Sequence, residues 1–274
     1  MNYRQKVGSY TAKGGFANEC AICEKFKNYR KDRDAQSWLL VMGYDFHKIH
    51  SLGAIQIPVR INQSKAKRLG VRSDLYQEAS KHKKADLQLR IEIEIDGVIF
   101  TENLSLKKAN KKAGFNQIDK RSVDSYQIMW RFSDRLSKLL KFFTGEFLPF
   151  AYRSYATPRD PRRLFISELR PSDQKIIIDF FTQNKPLVIS DIIMGRGALK
   201  SDYVLVTEKD EDRYKWTIAD IATVCNFYSQ GEVELSPRGN LKIGRITLQR
   251  KGGTPDPTSL QFKFNPLALF ALGE

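Results

Sequence analysis

The stretch KADLQLRIEIEIDGVIFTENLSLKK, residues 84–108, decides the fold of this chain. Apolar and polar side chains alternate over residues 87–95, a period of two that predicts a strand with one buried face. The dipeptide Asp96-Gly97 is typical of tight hairpin turns, and a second strand is predicted over residues 98–107. The stretch therefore predicts an antiparallel hairpin.

Three polar side chains of this hairpin have the pattern needed to cleave a phosphodiester. Asp86 opens the first strand, and Lys107 closes the second, with Ser105 two residues before it. Period two places Ser105 and Lys107 on one strand face, so the three side chains can converge on one metal ion. The reaction needs a hard cation, an activated water and positive charge near phosphorus. By itself the pattern also fits an ordinary hairpin with a solvated polar face.

Outside the hairpin, the spacing of apolar residues predicts helices and short strands in alternation. Helices are predicted over residues 15–30, 36–42, 133–143, 172–184 and 217–228, with Ser133, Ser172 and Thr217 as N-caps. Strands are predicted over residues 52–59, 164–166, 187–189, 203–207, 242–249 and 260–264. Residues 60–84 are polar and basic without a clear period, and a long excursion with room for one short helix is predicted there. The interspersed elements predict a mixed α/β domain.

Basic residues outnumber acidic residues. The 274 residues include 46 Lys and Arg against 31 Asp and Glu, which gives a formal net charge of +15. This charge favours a polyanionic partner, nucleic acid above all. The basic residues concentrate at several places along the chain, residues 65–72, 81–84, 107–112, 159–163 and 238–251. Their spread favours a folded basic cleft over a disordered arm.

Composition also limits location and cofactors. No stretch has the roughly 18 apolar residues of a membrane helix, and the N-terminus lacks the apolar core of a signal peptide. Three cysteines cannot form a complete disulfide framework. We therefore expect a cytoplasmic protein without a membrane partner. No glycine-rich phosphate loop of the GxxxxGK[ST] type occurs, so no nucleotide cofactor is expected.

Several motifs in one order resemble a known nuclease family. They include KADLQLRI, ENLSLKKANKKAGFNQIDK, LSPRGNLKIGRITLQRKGG and LQFKFNP, together with TAKGGFANE, QSWLLVMG, FTGE, PRRLF and GRG. These segments resemble the small monomeric type II restriction endonucleases of the HinP/MspI group, in the PD-(D/E)xK superfamily, and are most similar to the member that cuts GCGC. The resemblance extends from Ser9 to Pro266, interrupted mainly by residues 60–84.

The resemblance implies a fold and an activity. The expected fold is α/β, a restriction-endonuclease-like mixed central β-sheet flanked by helices. One domain, residues 1–274, would hold a catalytic core over about 1–150 and an inseparable DNA-recognition part over about 151–274. The expected reaction is Mg²⁺-dependent hydrolysis of double-stranded DNA at a short GC-rich palindrome, with GCGC preferred. The alternatives are another four-base site with a central CG, and a catalytically silent, sequence-specific DNA-binding protein.

The resemblance also implies partners. A monomer is expected in solution, with a dimer on DNA left open. A companion DNA methyltransferase is implied by the family alone.

The same resemblance assigns the active site. Asp86 matches the metal-binding aspartate, and Lys107 matches the active-site lysine. Ser105 stands where the superfamily usually has an acid and where this group tolerates an uncharged amide; its neutral hydroxyl is a weaker metal ligand. Glu19, in an N-E-x-x-I pattern, would supply the missing negative charge, although a solvated glutamate remains the alternative. Glu102 is the fallback ligand if the strand is bulged.

Further segments match DNA-contacting parts of the family. The loop Gly114-Phe115-Asn116-Gln117 would enter the DNA, with its amides contacting bases. Two later segments, SPRG and QRKGG, would read base edges or hold phosphates. Arginines elsewhere would clamp phosphates. The candidates in the later segments are Ser236, Arg238, Gln249, Arg250 and Lys251, and the clamp candidates are Arg159, Arg162, Arg163 and Arg196.

Overall fold

The computed structural model of this chain describes residues 3–93, 98–109, 114–152, 157–210, 213–251 and 258–272. Its α-helices in these ranges are α1 (Tyr3–Lys27), α2 (Arg33–Val41), α3 (Gln63–Arg68), α4 (Tyr76–His82), α5 (Val123–Trp130), α6 (Asp134–Thr144), α7 (Pro171–Gln183), α8 (Lys185–Ile193) and α9 (Ile221–Ser229). Its strands there are β1 (Ile49–Gln56), β2 (Leu87–Ile93), β3 (Ile99–Ala109), β4 (Asn116–Arg121), β5 (Tyr203–Asp210), β6 (Arg213–Asp220), β7 (Val233–Leu235), β8 (Leu241–Ile243), β9 (Ile246–Arg250) and β10 (Leu260–Phe264). None of these helices is long and apolar enough to cross a membrane.

The chain divides into two compact units, each assembled from separate stretches of sequence. The first unit comprises residues 1–114, 193–225 and 266–274, and the second comprises residues 115–192 and 226–265. Each unit has a five-stranded sheet of its own.

The first unit is built on the hairpin of β2 and β3. Its sheet has the order β1-β2-β3-β5-β6. All neighbours pair antiparallel except β3 and β5, which are parallel, so the predicted mixed sheet is confirmed. The Asp96-Gly97 turn lies outside the described residues. β3 is central in this sheet, with β2 on one side and β5 on the other.

The alternation in β2 fixes which side chains enter the core of the first unit. Leu87, Leu89 and Ile91 are fully buried in the cluster that includes Trp38 of α2 and Phe26 of α1. Full burial of one such aliphatic side chain contributes roughly 1.5–3 kcal/mol to the free energy of folding. One sheet face is therefore held against the first two helices.

The opposite face of β2 is covered by residues 60–84, which are more ordered than the sequence predicts. Two short helices, α3 and α4, lie in this segment. Its apolar side chains form a second small core with Leu199, and the amide of Gln88 donates to the carbonyl of Leu69 at 3.1 Å. At six and seven residues, the two helices are too short to show a helical period in the sequence.

The second unit has an entirely antiparallel sheet, in the order β4-β10-β9-β8-β7. Its core is aromatic. Tyr126 and Trp130 of α5 stack at 4.7 Å, and both meet Phe262 of β10 edge-on. The indole nitrogen of Trp130 donates to the buried carboxylate of Asp191 at 2.9 Å, which satisfies the indole inside the core.

Several of the predicted elements are wrong. In two cases the residue at which a helix begins was assigned incorrectly. Residues 187–189 lie in helix α8, not in a strand, because Pro186 stands in the first helical turn, where proline is tolerated. Thr217 lies in β6 and is not a helix N-cap; the backbone N–H of Thr223 donates to Asp220, which precedes α9.

Three further predictions need correction. Residues 164–166 form no strand, and the backbone there enters a short 3₁₀ helix, Ile166–Glu168. The strand predicted over 242–249 is two strands, β8 and β9, separated by a turn in which Gly244 has φ +57°. Helix α7 begins at Pro171, so Ser172 lies inside its first turn. Ser133 is confirmed as the N-cap of α6.

Candidate active site and nucleic-acid surface

Asp86, Ser105 and Lys107 lie together in the first unit. Asp86 directly precedes β2, and its backbone N–H donates to the carbonyl of Leu104 on β3. Its Oδ2 atom accepts from the backbone N–H of Leu106 at 2.8 Å, from Ser105 Oγ at 3.3 Å and from Lys107 Nζ at 3.3 Å. No described residue donates to Oδ1. The carboxylate is thus oriented through one oxygen while the other stays available to a ligand.

Ser105 and Lys107 differ in exposure. Ser105 is 2% exposed, so its hydroxyl acts on the Asp86 carboxylate from inside the fold. The Lys107 side chain is 21% exposed, and its Nζ also donates to the Leu106 carbonyl at 3.2 Å. This geometry makes Ser105 an orienting group and Lys107 a cation at the surface of the site.

Glu19 of α1 belongs to the same site. Its Oε2 atom accepts from Gln56 Nε2 at 2.9 Å, and Gln56 in turn accepts from the Cys20 thiol. Burial, together with the negative charge of Asp86, raises the pKa of Glu19, while Gln56 and Lys107 oppose the rise. Because Glu19 and Asp86 influence each other, the structure places two carboxylates in one region.

Lys83 is a member of the site that the motif analysis missed. It follows α4 and lies three residues before Asp86. Burial lowers the pKa of Lys83, and nearby Lys107 lowers it further, against the opposing charges of Asp86 and Glu19. Its only sequence signal is the basic run 81–84, which does not point to a single residue.

Glu102 does not serve as the fallback ligand. Pairing between β2 and β3 is regular over its position, opposite Leu89, and no bulge turns it toward Asp86. Its carboxylate instead accepts from the Tyr44 hydroxyl at 2.5 Å. Burial raises the pKa of Glu102, and Tyr44 opposes the rise.

The oxygen donors of the site fit a hard divalent cation. Asp86 and Glu19 offer carboxylates, and Ser105 a hydroxyl, the donor types that magnesium and calcium prefer. No group of three or more His, Cys, Asp or Glu that could hold a metal occurs among the described residues. The carboxylates of Asp86 and Glu19 could hold a cation here, and the cation would relieve their mutual repulsion.

A glycine loop supports the segment that carries Lys83 and Asp86. Gly195 has φ +81°, and a Cβ added there would overlap the His82 carbonyl and the Lys84 side chain. The next residue, Arg196, donates its backbone N–H to the same His82 carbonyl at 3.1 Å. The side chain of Arg196, predicted to clamp phosphate, is half-buried next to this segment.

Comparison with known proteins decides the family. The family model of the R.HinP1I restriction endonuclease matches residues 74–270, more than two thirds of the chain. The chain belongs to the R.HinP1I restriction endonuclease family. It is accordingly a type II site-specific deoxyribonuclease, and membership in this family favours the enzyme over a silent DNA-binding protein.

A structural comparison agrees with the fold. The crystal structure of restriction endonuclease MspI in complex with its cognate DNA matches with a TM-score of 0.61 and 14% sequence identity, over 96% of this chain and 93% of that one. A search of curated proteins finds no match. The restriction-endonuclease-like α/β fold expected from the resemblance is confirmed.

The second unit of this R.HinP1I-family endonuclease has a sheet face rich in amides. Gln249 on β9 and Gln261 on β10 are cross-strand partners, and Gln261 also stands opposite Lys120 of β4. Gln261 Nε2 donates to the exposed Gln117 at 2.7 Å, and Gln117 stands opposite Lys263. The face therefore combines cations with amide side chains, a type of side chain that can pair with base edges.

Three lysines near this face repel one another. Burial lowers the pKa of Lys251, and the charges of Lys120 and Lys263 lower it further. A bound anion would offset the like charges of these three lysines. Of these, only Lys251 was singled out from the sequence. The signal for Gln261 and Lys263 is the alternation in LQFKF, whose three apolar residues are almost fully buried.

Arg238 lies on the turn between β7 and β8. The turn is closed by a hydrogen bond from Gly239 N–H to the Ser236 carbonyl at 2.8 Å, and the Ser236 hydroxyl accepts from Asn240 N–H. Arg238 is exposed, and no described side chain pairs with it. In this R.HinP1I-family chain the Arg238 guanidinium is thus exposed on a hydrogen-bonded turn.

Arg159 lies against the same turn, next to Gly239. The guanidinium groups of Arg159 and Arg163 lie over the Phe165 ring, 4.2 and 4.0 Å from its centroid. Arg159 also donates to Ser167 at 2.7 Å, and Ile166 N–H donates to the Gly239 carbonyl at 3.1 Å. Arg159 was predicted to clamp phosphate, and in the structure its contacts support this turn.

The remaining arginine candidates lie around Asp160. Arg162 bonds this carboxylate at 2.9 Å, and Arg163 and Arg250 approach it at 3.6 and 3.8 Å. The side chains of Arg163 and Arg250 are only 14% and 9% exposed. Asn116 opens β4 and is half-buried, and the glycines that follow Lys251 lie outside the described residues.

Proposed function

We propose that this endonuclease hydrolyses one phosphodiester per strand of double-stranded DNA at a short GC-rich palindrome, with GCGC as the preferred site, in a reaction that requires Mg²⁺. The observation that carries the proposal is the convergence of Asp86, Ser105 and Lys107 through one carboxylate oxygen, with Glu19 beside them. Arg238 and the amide face of the second unit would read the site, because arginine pairs bidentately with guanine.

Each residue of the site has a distinct role in this proposal. Asp86 and Glu19 would hold Mg²⁺, which when bound makes water nucleophilic at neutral pH and offsets phosphate charge. Ser105 orients Asp86. Lys107 holds the attacking water or a phosphate oxygen, and Lys83 adds a second positive charge beside the two carboxylates.

The proposed reaction is tested by digesting plasmid DNA of known sequence. Discrete fragments are expected with Mg²⁺ and none with EDTA, and sequencing of the fragment ends should place every cut in one palindrome. Ends at a different four-base site with a central CG would correct the site but keep the reaction. A gel shift without cutting in Mg²⁺ contradicts the proposal.

Salt should weaken DNA binding steeply. If six to ten phosphates are contacted, raising salt from about 50 to 200 mM lowers affinity by roughly 10³–10⁵. Fluorescence anisotropy with a labelled duplex measures the slope. A flat response would mean that the charge of +15 does not act on DNA.

Lys83→Ala should slow cleavage about 10- to 100-fold while changing DNA affinity by less than about threefold, since it removes a positive charge that acts on Asp86 and Glu19. Single-turnover cleavage and anisotropy separate the two effects. Lys31→Ala, an exposed lysine of the first unit, is the control for the change in net charge. Equal rates for the two variants would remove Lys83 from the site.

The family suggests partners as well. We propose a monomer in solution, a pairing of two chains on DNA as the open alternative, and a companion methyltransferase that protects the host's own sites. The cytoplasmic location expected from the sequence stays a prediction.

A further inference from the structure

The end of strand β1 lies beside the carboxylates of the candidate active site. Gln56 is the last residue of β1 and stands opposite Leu87, the first residue of β2. The residue after it, Ile57, donates its backbone N–H to the carbonyl of Asp86 at 2.9 Å. The backbone at the end of β1 is therefore fixed against Asp86, and the Gln56 side chain starts from a fixed position in the site.

The Gln56 side chain engages one oxygen of Glu19. Its Nε2 atom donates to Glu19 Oε2 at 2.9 Å, and no described residue donates to Oε1. Asp86 shows the same division, since its donors from Ser105, Leu106 and Lys107 all reach Oδ2. Each carboxylate is thus oriented through one oxygen, and its second oxygen stays available to a cation.

A thiol determines which way the Gln56 amide points. Cys20 directly follows Glu19 on α1, and its Sγ atom donates to Gln56 Oε1 at 3.3 Å. An amide oxygen can only accept a hydrogen bond, and an amide nitrogen can only donate. Turning the amide by 180° would place its oxygen against the Glu19 carboxylate, so the thiol and the carboxylate together favour one orientation.

Other contacts fix helix α1 near Glu19 without touching the Glu19 carboxylate. The Thr207 hydroxyl on β5, in a residue that is 1% exposed, donates to the side-chain oxygen of Asn18 at 3.1 Å. The buried Cys23 thiol donates to the carbonyl of Ala54 on β1 at 3.5 Å. These two bonds hold the helix on the sheet, whereas the bond from Gln56 acts on the carboxylate itself.

We propose that Gln56 is a positioning residue for Glu19 and that Cys20 sets the orientation of its amide. The inference rests on the proposed function, in which Glu19 holds the divalent cation. Removing a group that orients a metal ligand typically lowers metal affinity or activity by roughly 10- to 100-fold. Gln56 therefore contributes to the affinity of the site for its cation without being a ligand.

The test measures Mn²⁺ binding to the full chain without DNA, by electron paramagnetic resonance of the free ion, so that it does not depend on cleavage. Gln56→Met keeps the length of the side chain and removes its N–H donors, and it should weaken Mn²⁺ binding about tenfold. Cys20→Ala should weaken binding less, by about two- to threefold, because it acts through the amide. Cys20→Ser supplies a hydroxyl donor in the same place and should restore the native affinity.

Cys23→Ala is the matched control. It removes a thiol hydrogen bond between the same helix and the same strand, but one that reaches neither Glu19 nor the Gln56 side chain. It should bind Mn²⁺ as the native chain does, and thermal unfolding measures its cost in stability separately. Equal losses of Mn²⁺ affinity in Gln56→Met and Cys23→Ala would overturn the inference, because the docking of α1 would then explain both.

Glu19→Gln separates this inference from the proposed function. If Glu19→Gln binds Mn²⁺ weakly while Gln56→Met binds it as the native chain does, the role of Gln56 is overturned and the proposed function stands. If Glu19→Gln binds Mn²⁺ with native affinity, the proposed role of Glu19 fails and this inference fails with it. Equal affinities for Cys20→Ser and Cys20→Ala would overturn the role of Cys20.

Discussion

Asp86→Asn is expected to lower DNA cleavage by at least about 10³-fold while leaving DNA affinity within a few fold of the native protein. The asparagine is close to the aspartate in shape, but it removes the negative charge that would hold the cation. It also places an amide N–H₂ near the donors that now reach Oδ2, from Ser105, Leu106 and Lys107. Quench-flow or gel assays of cleavage, with anisotropy for binding, measure the two quantities.

The control for this substitution is Asp74→Asn in the same unit. Asp74 is exposed and pairs only with its neighbour Arg72 among the described contacts. Both variants change the net charge equally, so a loss of cleavage confined to Asp86→Asn assigns the effect to the site. Cleavage by Asp86→Asn within tenfold of the control would separate this carboxylate from the chemistry.

Gly239→Ala is expected to reduce affinity for the specific site by at least about tenfold and to lower stability by more than the usual cost of its backbone conformation, about 1–2 kcal/mol. Gly239 has φ +76°, and an added Cβ would overlap Ser167 Oγ, the Arg159 guanidinium and Phe165 Cβ. Either these side chains or the turn that carries Arg238 must therefore shift. Binding to specific and unrelated duplexes, with thermal unfolding, measures both effects.

Gly43→Ala separates the steric effect from the backbone effect. Gly43 has φ +88°, yet a Cβ added there meets nothing within 4 Å. It should lose stability only through its backbone conformation and keep full DNA specificity. If Gly239→Ala behaves in the same way, the packing against Arg159 does not position Arg238.

The sequence predicted the hairpin because its signals are local. Alternation over 87–95 and the Asp86-to-Lys107 spacing need no distant residue to be interpreted, and β2 and β3 follow them. Glu19 was assigned from the family resemblance alone. Gln56 and Lys83 were missed because their partners lie on other elements; the Gln56 contact with Glu19 joins residues 37 apart.

The burial of several polar residues was also not predicted from the sequence. Alternation makes Gln88 a solvent-facing residue of β2, but it is 1% exposed because residues 60–84 fold over that face. Likewise, Arg163 and Arg250 read as surface cations, whereas the fold draws both toward Asp160. Contacts between residues far apart in the chain do not produce a periodic pattern of apolar residues in the sequence.

The arrangement of the first sheet limits how this gene can be divided. Strands β5 and β6 come from residues 203–220, and β5 completes the ladder beside Lys107 on β3, the proposed catalytic lysine. A fragment ending near residue 150 would leave β3 as an open edge, a template for aggregation. Recombination that exchanges the two halves of the coding sequence would therefore disrupt the proposed nuclease centre, even though every residue proposed for it is encoded in the first half.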